Sequence, residues 1–437
     1  MILMSHPLGN ANVRHAALAL SDAGLLAELW TCLQWKPGHF SERLIPQRFV
    51  RELGRRSFPV TVRGRVRTAP WREAGRLLAG HLPGGDWLTR HEEGWCSVDA
   101  VFRGLDARVA RRAESLLRAG QPLAGVYCYE DAAADTFQVA AGHGKARFYD
   151  LPIGYWRAAQ AIFAEETERV PEWAPTLTGR GDSPAKLARK DEELRLADVV
   201  IVASNFTRQT LLSAPAFRAP VHVIPYGAPP AAPAMTEPAA RPGTGSRRKL
   251  RVLFAGSLGQ RKGLSYLLAA IRPLADHVEL TLLGGKTAAD CAPLEAAVRQ
   301  HRWLPSLPHA EVLAEMEQQD VLVFPSLFEG FGLVILEAMS RGLPVIATPH
   351  TAAPDLIADG TEGFIIPIRS PAAITERLEL LIREPGRLAE MKMAARKRAE
   401  ALSWQTYRTR LADVVAQALG VQPRARGDAG QPSKWLP

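Results

Sequence analysis

Short apolar runs alternate with helix-spaced segments along most of this 437-residue chain, and no other feature restricts its folding more. A chain that leaves a strand and returns to the sheet by way of a helix arrives parallel, so the pattern predicts parallel sheet covered by helices on both faces. Met1–His6 reads as a strand that runs into a Gly-containing loop, His6–Asn12. Val13, Ala16, Ala17 and Leu20 then form one face of a helix that Gly24 ends. Gly125–Tyr129 is a further buried strand ending at Glu130 and Asp131, and Asp198–Ala203 another ending at Ser204 and Asn205. The pattern restarts at Leu250–Phe254 and continues through Val278–Leu283, Val321–Phe324, Val345–Ala347 and Phe364–Ile366. Helices are expected from about Leu264, around Leu294 and Val312, and from Pro371 onward.

A chain of this length exceeds a comfortable single core, and two domains are the natural division. Residues 1–227 form the first, closed by Val221–Gly227. Residues 228–246 turn to Pro, Ala, Gly and Thr without a periodic apolar face, as a linker does, and residues 247–403 form the second. Tyr407, Leu411, Val414, Val415 and Ala418 keep helical spacing over about 404–420, and residues 421–437 are rich in Pro, Gly and charge, the composition of a flexible tail.

The second half carries the strongest chemical signal. Glu329 and Glu337 bracket Gly330, Phe331, Gly332 and Leu333 where the Val321–Phe324 strand gives way, after Pro325 and Ser326, to a helix over Leu333–Ser340. Glu329 therefore falls in the loop and Glu337 on the helix. Glycine lets the loop backbone approach a ligand, and the free N–H groups of the helix start suit phosphate oxygens. Carboxylates beside such a site would repel phosphate, so they are expected to accept hydrogen bonds from hydroxyls, which sugars and ribose supply. A second element, Gly256–Gly263, follows the first strand of this half and offers Arg261 for bidentate and Lys262 for point-charge contact with a diphosphate.

The stretch from Glu329 to Glu337 resembles the E-x7-E signature of family 4 retaining glycosyltransferases, the glycosyl transferases group 1 of the GT-B superfamily. Phe324-Pro325-Ser326 before it and Glu337–Thr348 after it agree with that family. Ile224-Pro225-Tyr226-Gly227 is similar to the element before its hinge, and Gly256–Gly263 to its phosphate-binding segment. The chain has Ser257 where many members have arginine, so the arginine role is carried to Arg261. The resemblance implies a GT-B fold, two Rossmann-like parallel-sheet domains facing each other across a cleft, with the terminal helix crossing back onto the first. It implies retaining transfer of a sugar from a nucleoside diphosphate sugar to a glycan or lipid-linked acceptor, in cell-surface polysaccharide or glycolipid synthesis. Lys262, Arg261 and Glu329 would be catalytic, with Glu329 on the donor sugar. Glu337 would hold the ribose, and Gly256, Gly330, Phe331, Gly332 and Leu333 would complete the donor site. A non-catalytic sugar-nucleotide-binding module is the alternative.

On the acceptor side the candidates are His6, Gly9, Asn10 and Asn12 in the first loop and Glu130 and Asp131 at a strand tip. The loop residues read equally as turn formers, and the two acids as caps of the following helix. No Asp-x-Asp pair follows a strand and no His/Cys/Asp cluster has ligand spacing, so no metal and no cofactor beyond the donor substrate are expected. Formal charge is +9. Arg43, Arg48, Arg51, Arg55, Arg56, Arg63, Arg65, Arg67, Arg72 and Arg76 face only Glu52 and Glu73 within Arg43–Arg76. That segment is either a solvated insertion or a peripheral contact for an anionic membrane, and it has few aromatics for stacking nucleic-acid bases. The start lacks a basic, apolar and small-residue leader, and no apolar run reaches the ~18 residues of a membrane span. Four unpatterned cysteines, Cys32, Cys96, Cys128 and Cys291, suit reduced thiols, and the expected location is the cytoplasm or the inner face of its membrane.

Overall fold

The computed structural model describes residues 1–36, 54, 56–82, 84–177, 179, 181–232 and 248–422. Arg43, Arg48, Arg51 and Arg55, linker residues 233–246 and tail residues 423–437 lie outside them.

Among the described residues thirteen strands build two sheets. The first contains β1 (Ile2–Ser5), β2 (Leu26–Thr31), β3 (Val66–Thr68), β4 (Gly125–Tyr129), β5 (Ala146–Leu151), β6 (Val199–Val202) and β7 (Val221–Val223), in the order β3-β2-β1-β4-β5-β6-β7. The second contains β8 (Leu250–Ala255), β9 (Val278–Leu283), β10 (Arg302–Leu304), β11 (Val321–Phe324), β12 (Val345–Ala347) and β13 (Gly363–Ile365), in the order β10-β9-β8-β11-β12-β13. Every pairing between neighbours is parallel. β4, β6 and β11 are buried along their whole length, which is why they read as continuous apolar runs rather than alternations.

Both orders reverse direction once, between β1 and β4 and between β8 and β11. Connections leaving such neighbouring strands go opposite ways, and a crevice opens beyond their carboxyl ends. Both glutamate and cation elements of the second half lie at the β8/β11 reversal.

The helices used below are α1 (Ala11–Asp22), α2 (Trp71–Ala79), α3 (Val98–Arg118), α4 (Ala134–Gly142), α5 (Trp156–Arg169), α6 (Pro184–Leu196), α7 (Leu264–Ile271), α8 (Leu333–Ser340) and α9 (Trp404–Ala418). Asn10 starts α1 by accepting from Val13 N at 3.3 Å, and Ser403 starts α9 by accepting from Thr406 N at 3.2 Å. α9 lies on α1, burying Tyr407, Leu411 and Val415, and the Trp404 ring stacks on His15 with centroids 4.0 Å apart. The chain crosses between the sheets twice side by side, with Ala228 N donating to Leu402 O at 2.6 Å.

The basic segment is not simply a solvated face. Arg56 is buried against Glu73 at 2.7 Å, Arg63 donates to Phe58 O at 2.7 Å and Arg65 to Ser21 Oγ at 2.8 Å. These bonds hold Arg56 to α2 and the residue before β3 to α1. All four cysteines are buried and free.

Candidate active site

The cation element leaves β8 at Gly256, makes a short turn over Gln260–Lys262 and enters α7 through Gly263. Gly263 has φ of +71°, and a Cβ there would stand 2.1 Å from Pro325 O, so the turn closes directly against the end of β11. Leu327 N and Ser326 Oγ both donate to Arg261 O, at 2.9 and 3.2 Å. The Arg261 carbonyl thereby joins the two loops independently of the Arg261 and Lys262 side chains.

Their side chains converge on one carboxylate. Arg261 Nη1 donates to Glu329 Oε2 at 3.1 Å and to Phe328 O at 3.0 Å. Lys262 Nζ also contacts Glu329 Oε2, and it lies 4.7 Å from the Phe324 ring centroid. Burial, and then the Arg261 charge, push the Lys262 ammonium well below the ordinary lysine range, and burial lowers Arg261 as well. The carboxylate in contact opposes that shift. Two desolvated cations held within reach of one acid make a site that gains from any further anion. Gly256 is close by, its Cβ position 3.8 Å from Lys262 Cε.

α8 begins at Gly332, which has φ of +83° and supplies no side-chain cap to the first amides. Those N–H groups, on Leu333 and the residues after it, point their partial positive charge toward the same loop. One turn into the helix, Glu337 accepts from His309 Nε2 at 3.0 Å, a neighbour the sequence gave no reason to name. Phe331 is buried against Tyr226, with ring centroids 5.0 Å apart.

Gly330 is where the first domain meets this loop. A Cβ there would fall 2.0 Å from Pro152 O, and its carbonyl accepts from Ser204 Oγ at 2.5 Å and Thr207 Oγ1 at 2.9 Å. Asn205 N and Nδ2 donate to Asp355 at 2.7 and 2.6 Å beside it. Lys262, Arg261, Glu329, Gly256, Gly330, Phe331, Gly332 and Leu333 therefore lie around one loop pair, and Glu337 lies one turn along.

The acceptor-side candidates do not form a second constellation. His6 is buried edge-on to Tyr129 at 4.6 Å, its Nδ1 engages the Leu8 backbone, and burial holds it down to about 4. Gly9 packs under the Phe58 ring, and Asn10 is the cap of α1. Asn12 Nδ2 donates to Tyr226 OH at 3.2 Å, which links it through Tyr226 to Phe331.

Glu130 and Asp131 do not cap the next helix. Lys190 on α6 lies 3.2 and 3.1 Å from their carboxylates. Burial would lower Lys190, but the two acids carry it above its ordinary value. The first amides of α4 go instead to Asp106, which accepts from Asp135 N at 2.8 Å and Thr136 N at 3.1 Å. Distant sequence brought the better-placed acid.

Among the described residues, His91, Glu92 and Asp182 come close enough to share an ion. Glu92 already accepts from Ser183 N at 2.8 Å and Asp182 from Lys186 Nζ at 2.8 Å, so both carboxylates have partners of their own. No helix among the described residues is long and apolar enough to cross a membrane.

Residues 238–398 match the family model described as glycosyl transferases group 1. A D-inositol 3-phosphate glycosyltransferase of Corynebacterium aurimucosum is 29% identical over 264 residues, covering 55% of this chain and 62% of that protein. The matched region thus spans about three-fifths of that relative. Among solved structures, a sucrose-phosphate synthase from Thermosynechococcus elongatus has a TM-score of 0.63 at 16% identity, covering 96% of this chain and 99% of that one. HepE of Anabaena in complex with UDP has a TM-score of 0.60 at 17% identity, covering 95% and 99%. The two-sheet architecture is the GT-B fold.

Proposed function

We propose that this chain, whose residues 238–398 match the glycosyl transferases group 1 model, transfers a sugar from a nucleoside diphosphate sugar to a glycan or lipid-linked acceptor, in synthesis of a cell-surface polysaccharide or glycolipid. One observation carries the reading: Arg261 and Lys262, both desolvated, converge on Glu329 beside the uncapped start of α8.

In the proposed step the bond between the anomeric carbon and the phosphate oxygen breaks and an acceptor oxygen bonds the same carbon. The acceptor proton passes to the leaving phosphate oxygen. Negative charge grows on the departing diphosphate, where Lys262, Arg261 and the amides after Gly332 stabilise it without a metal. Glu329 accepts from donor-sugar hydroxyls and Glu337 from the ribose. Attack from the face the diphosphate leaves retains the anomeric configuration.

Trp71 within the Arg43–Arg76 segment and Trp87 and Trp95 beyond it are exposed. Amphipathic aromatics beside arginine favour a membrane interface, which supports peripheral contact with an anionic inner-leaflet surface.

Thermal stabilisation by a panel of nucleoside diphosphates tests the donor half, since ligand at ~100 times its dissociation constant adds about 2.7 kcal/mol. One nucleotide should stand out, and its sugar conjugate should be hydrolysed slowly without acceptor at a rate that EDTA leaves unchanged. Equal indifference to all of them would overturn the reading.

A further inference from the structure

Glu166 on α5, in the first domain, is fully buried, yet three of its partners belong to the second domain. Gln260 Nε2 donates to it at 2.7 Å, Arg369 Nε donates at 2.7 Å, and Tyr266 OH donates to the same oxygen as Gln260. Gln260 is the residue before Arg261. Its backbone N donates to Thr176 Oγ1 at 2.9 Å, and its Oε1 accepts from Ser265 N at 3.3 Å. The start of the cation turn is thus tied to residues 166–176 of the other domain through both the backbone and the side chain of Gln260. Trp173 is buried within the apolar core of the second sheet, and Arg369, which adds a contact to Glu165 at 2.9 Å, adopts φ of +60°. A non-glycine residue held in that region marks a position over-determined by its surroundings.

We infer that Glu166 is a positioning residue for the diphosphate-gripping pair, setting the direction of Arg261 and Lys262 from the opposite domain through Gln260. The inference rests on the proposed role of that pair. A carboxylate is needed because the three donors, one a guanidinium, point at two oxygens, and a neutral amide would turn an N–H against one of them. Since the contact crosses the cleft, the cations are aligned only while the segment 156–176 is docked on α7. Domain docking and preparation of the anion site become one event.

The test uses the full chain with UDP as probe and four variants: Glu166→Gln, Gln260→Ala, the double variant, and Lys262→Ala. Glu166→Gln should weaken UDP about tenfold, the share of one charge-assisted hydrogen bond. Gln260→Ala should do the same, and the double variant no more than either, because both remove one contact. Without nucleotide, amide exchange at Gln260 and Lys262 should quicken in Glu166→Gln and not elsewhere in the second domain. Additive losses, or unchanged exchange in the turn, would overturn the inference. If Glu166→Gln does not fold, Gln260→Ala carries both readouts. UDP binding unaffected even in Lys262→Ala, with exchange still faster in Glu166→Gln, would sink the anion reading while supporting the positioning contact.

Discussion

Lys262 is the sharpest single test of the proposed chemistry, because its ammonium is buried beside Arg261 and in contact with Glu329. Lys262→Ala should lower turnover on a nucleoside diphosphate sugar by about 10²–10³, the value of one preorganised donor, with a smaller change in fold stability. Wild-type rates in steady-state assay would remove the residue from the mechanism. His6 makes a separate, pH-dependent contribution. Burial lowers it from 6.5 to about 4, with the Leu8 carbonyl opposing. Its folded value lies below its unfolded one, so unfolding takes up a proton in acid. The stability it provides is complete above about pH 6.5 and is lost as pH falls toward 4, about 3 kcal/mol in all. His6→Gln should therefore flatten the fall in thermal midpoint over that interval, and an unchanged slope would show that the imidazole is not the source. Residue types and spacing made Lys262 and Glu329 candidates, and the fold brings them into contact. Types and spacing did not announce Glu166, whose partners are 94 to 203 residues away.

At the scale of elements, α9 tests how far the crossing helix belongs to the first domain. Leu411 is fully buried in its contact with α1. Leu411→Ala should cost about 2–5 kcal/mol in chemical denaturation, and a loss below about 1 kcal/mol would mean that the site relaxes or is not core. Strands buried on both faces, such as β4, β6 and β11, were legible because continuous apolar runs of that length have few other uses. β5 was not: Asp150 interrupts it, and only the fold shows Tyr127 OH donating to that carboxylate at 2.6 Å. The same limit applied to Glu130 and Asp131, where local spacing suggested a cap and Lys190 from α6 took them instead.

For the whole molecule, the decisive contact is Gly330 against Pro152 and Ile153. The Cβ of an alanine would sit 2.0 Å from Pro152 O and 2.5 Å from Ile153 Cα, backbone atoms that cannot step aside. Gly330→Ala should force the domains apart there, seen as a larger radius in solution scattering and weaker nucleotide-dependent stabilisation. An unchanged radius would show that the loop, not the domain contact, yields. Tyr226 supplies a second contact between the two sides, since it joins Asn12 of the first loop to Phe331 of the second domain.

Periodicity and composition alone determined the two parallel sheets, because a buried strand must be apolar on both faces and a crossover must be helical. The glycines, cations and glutamates that follow β8 and β11 were legible as motif spacing, and the family resemblance supplied the expectation that they hold a diphosphate. Which first-domain residues serve that loop pair was decided only by tertiary structure. Ser204, Thr207, Thr176 and Glu166 reach it through contacts whose spacing in sequence carries no period. A hydrogen bond across a cleft depends on how two domains dock, and no local rule encodes that distance.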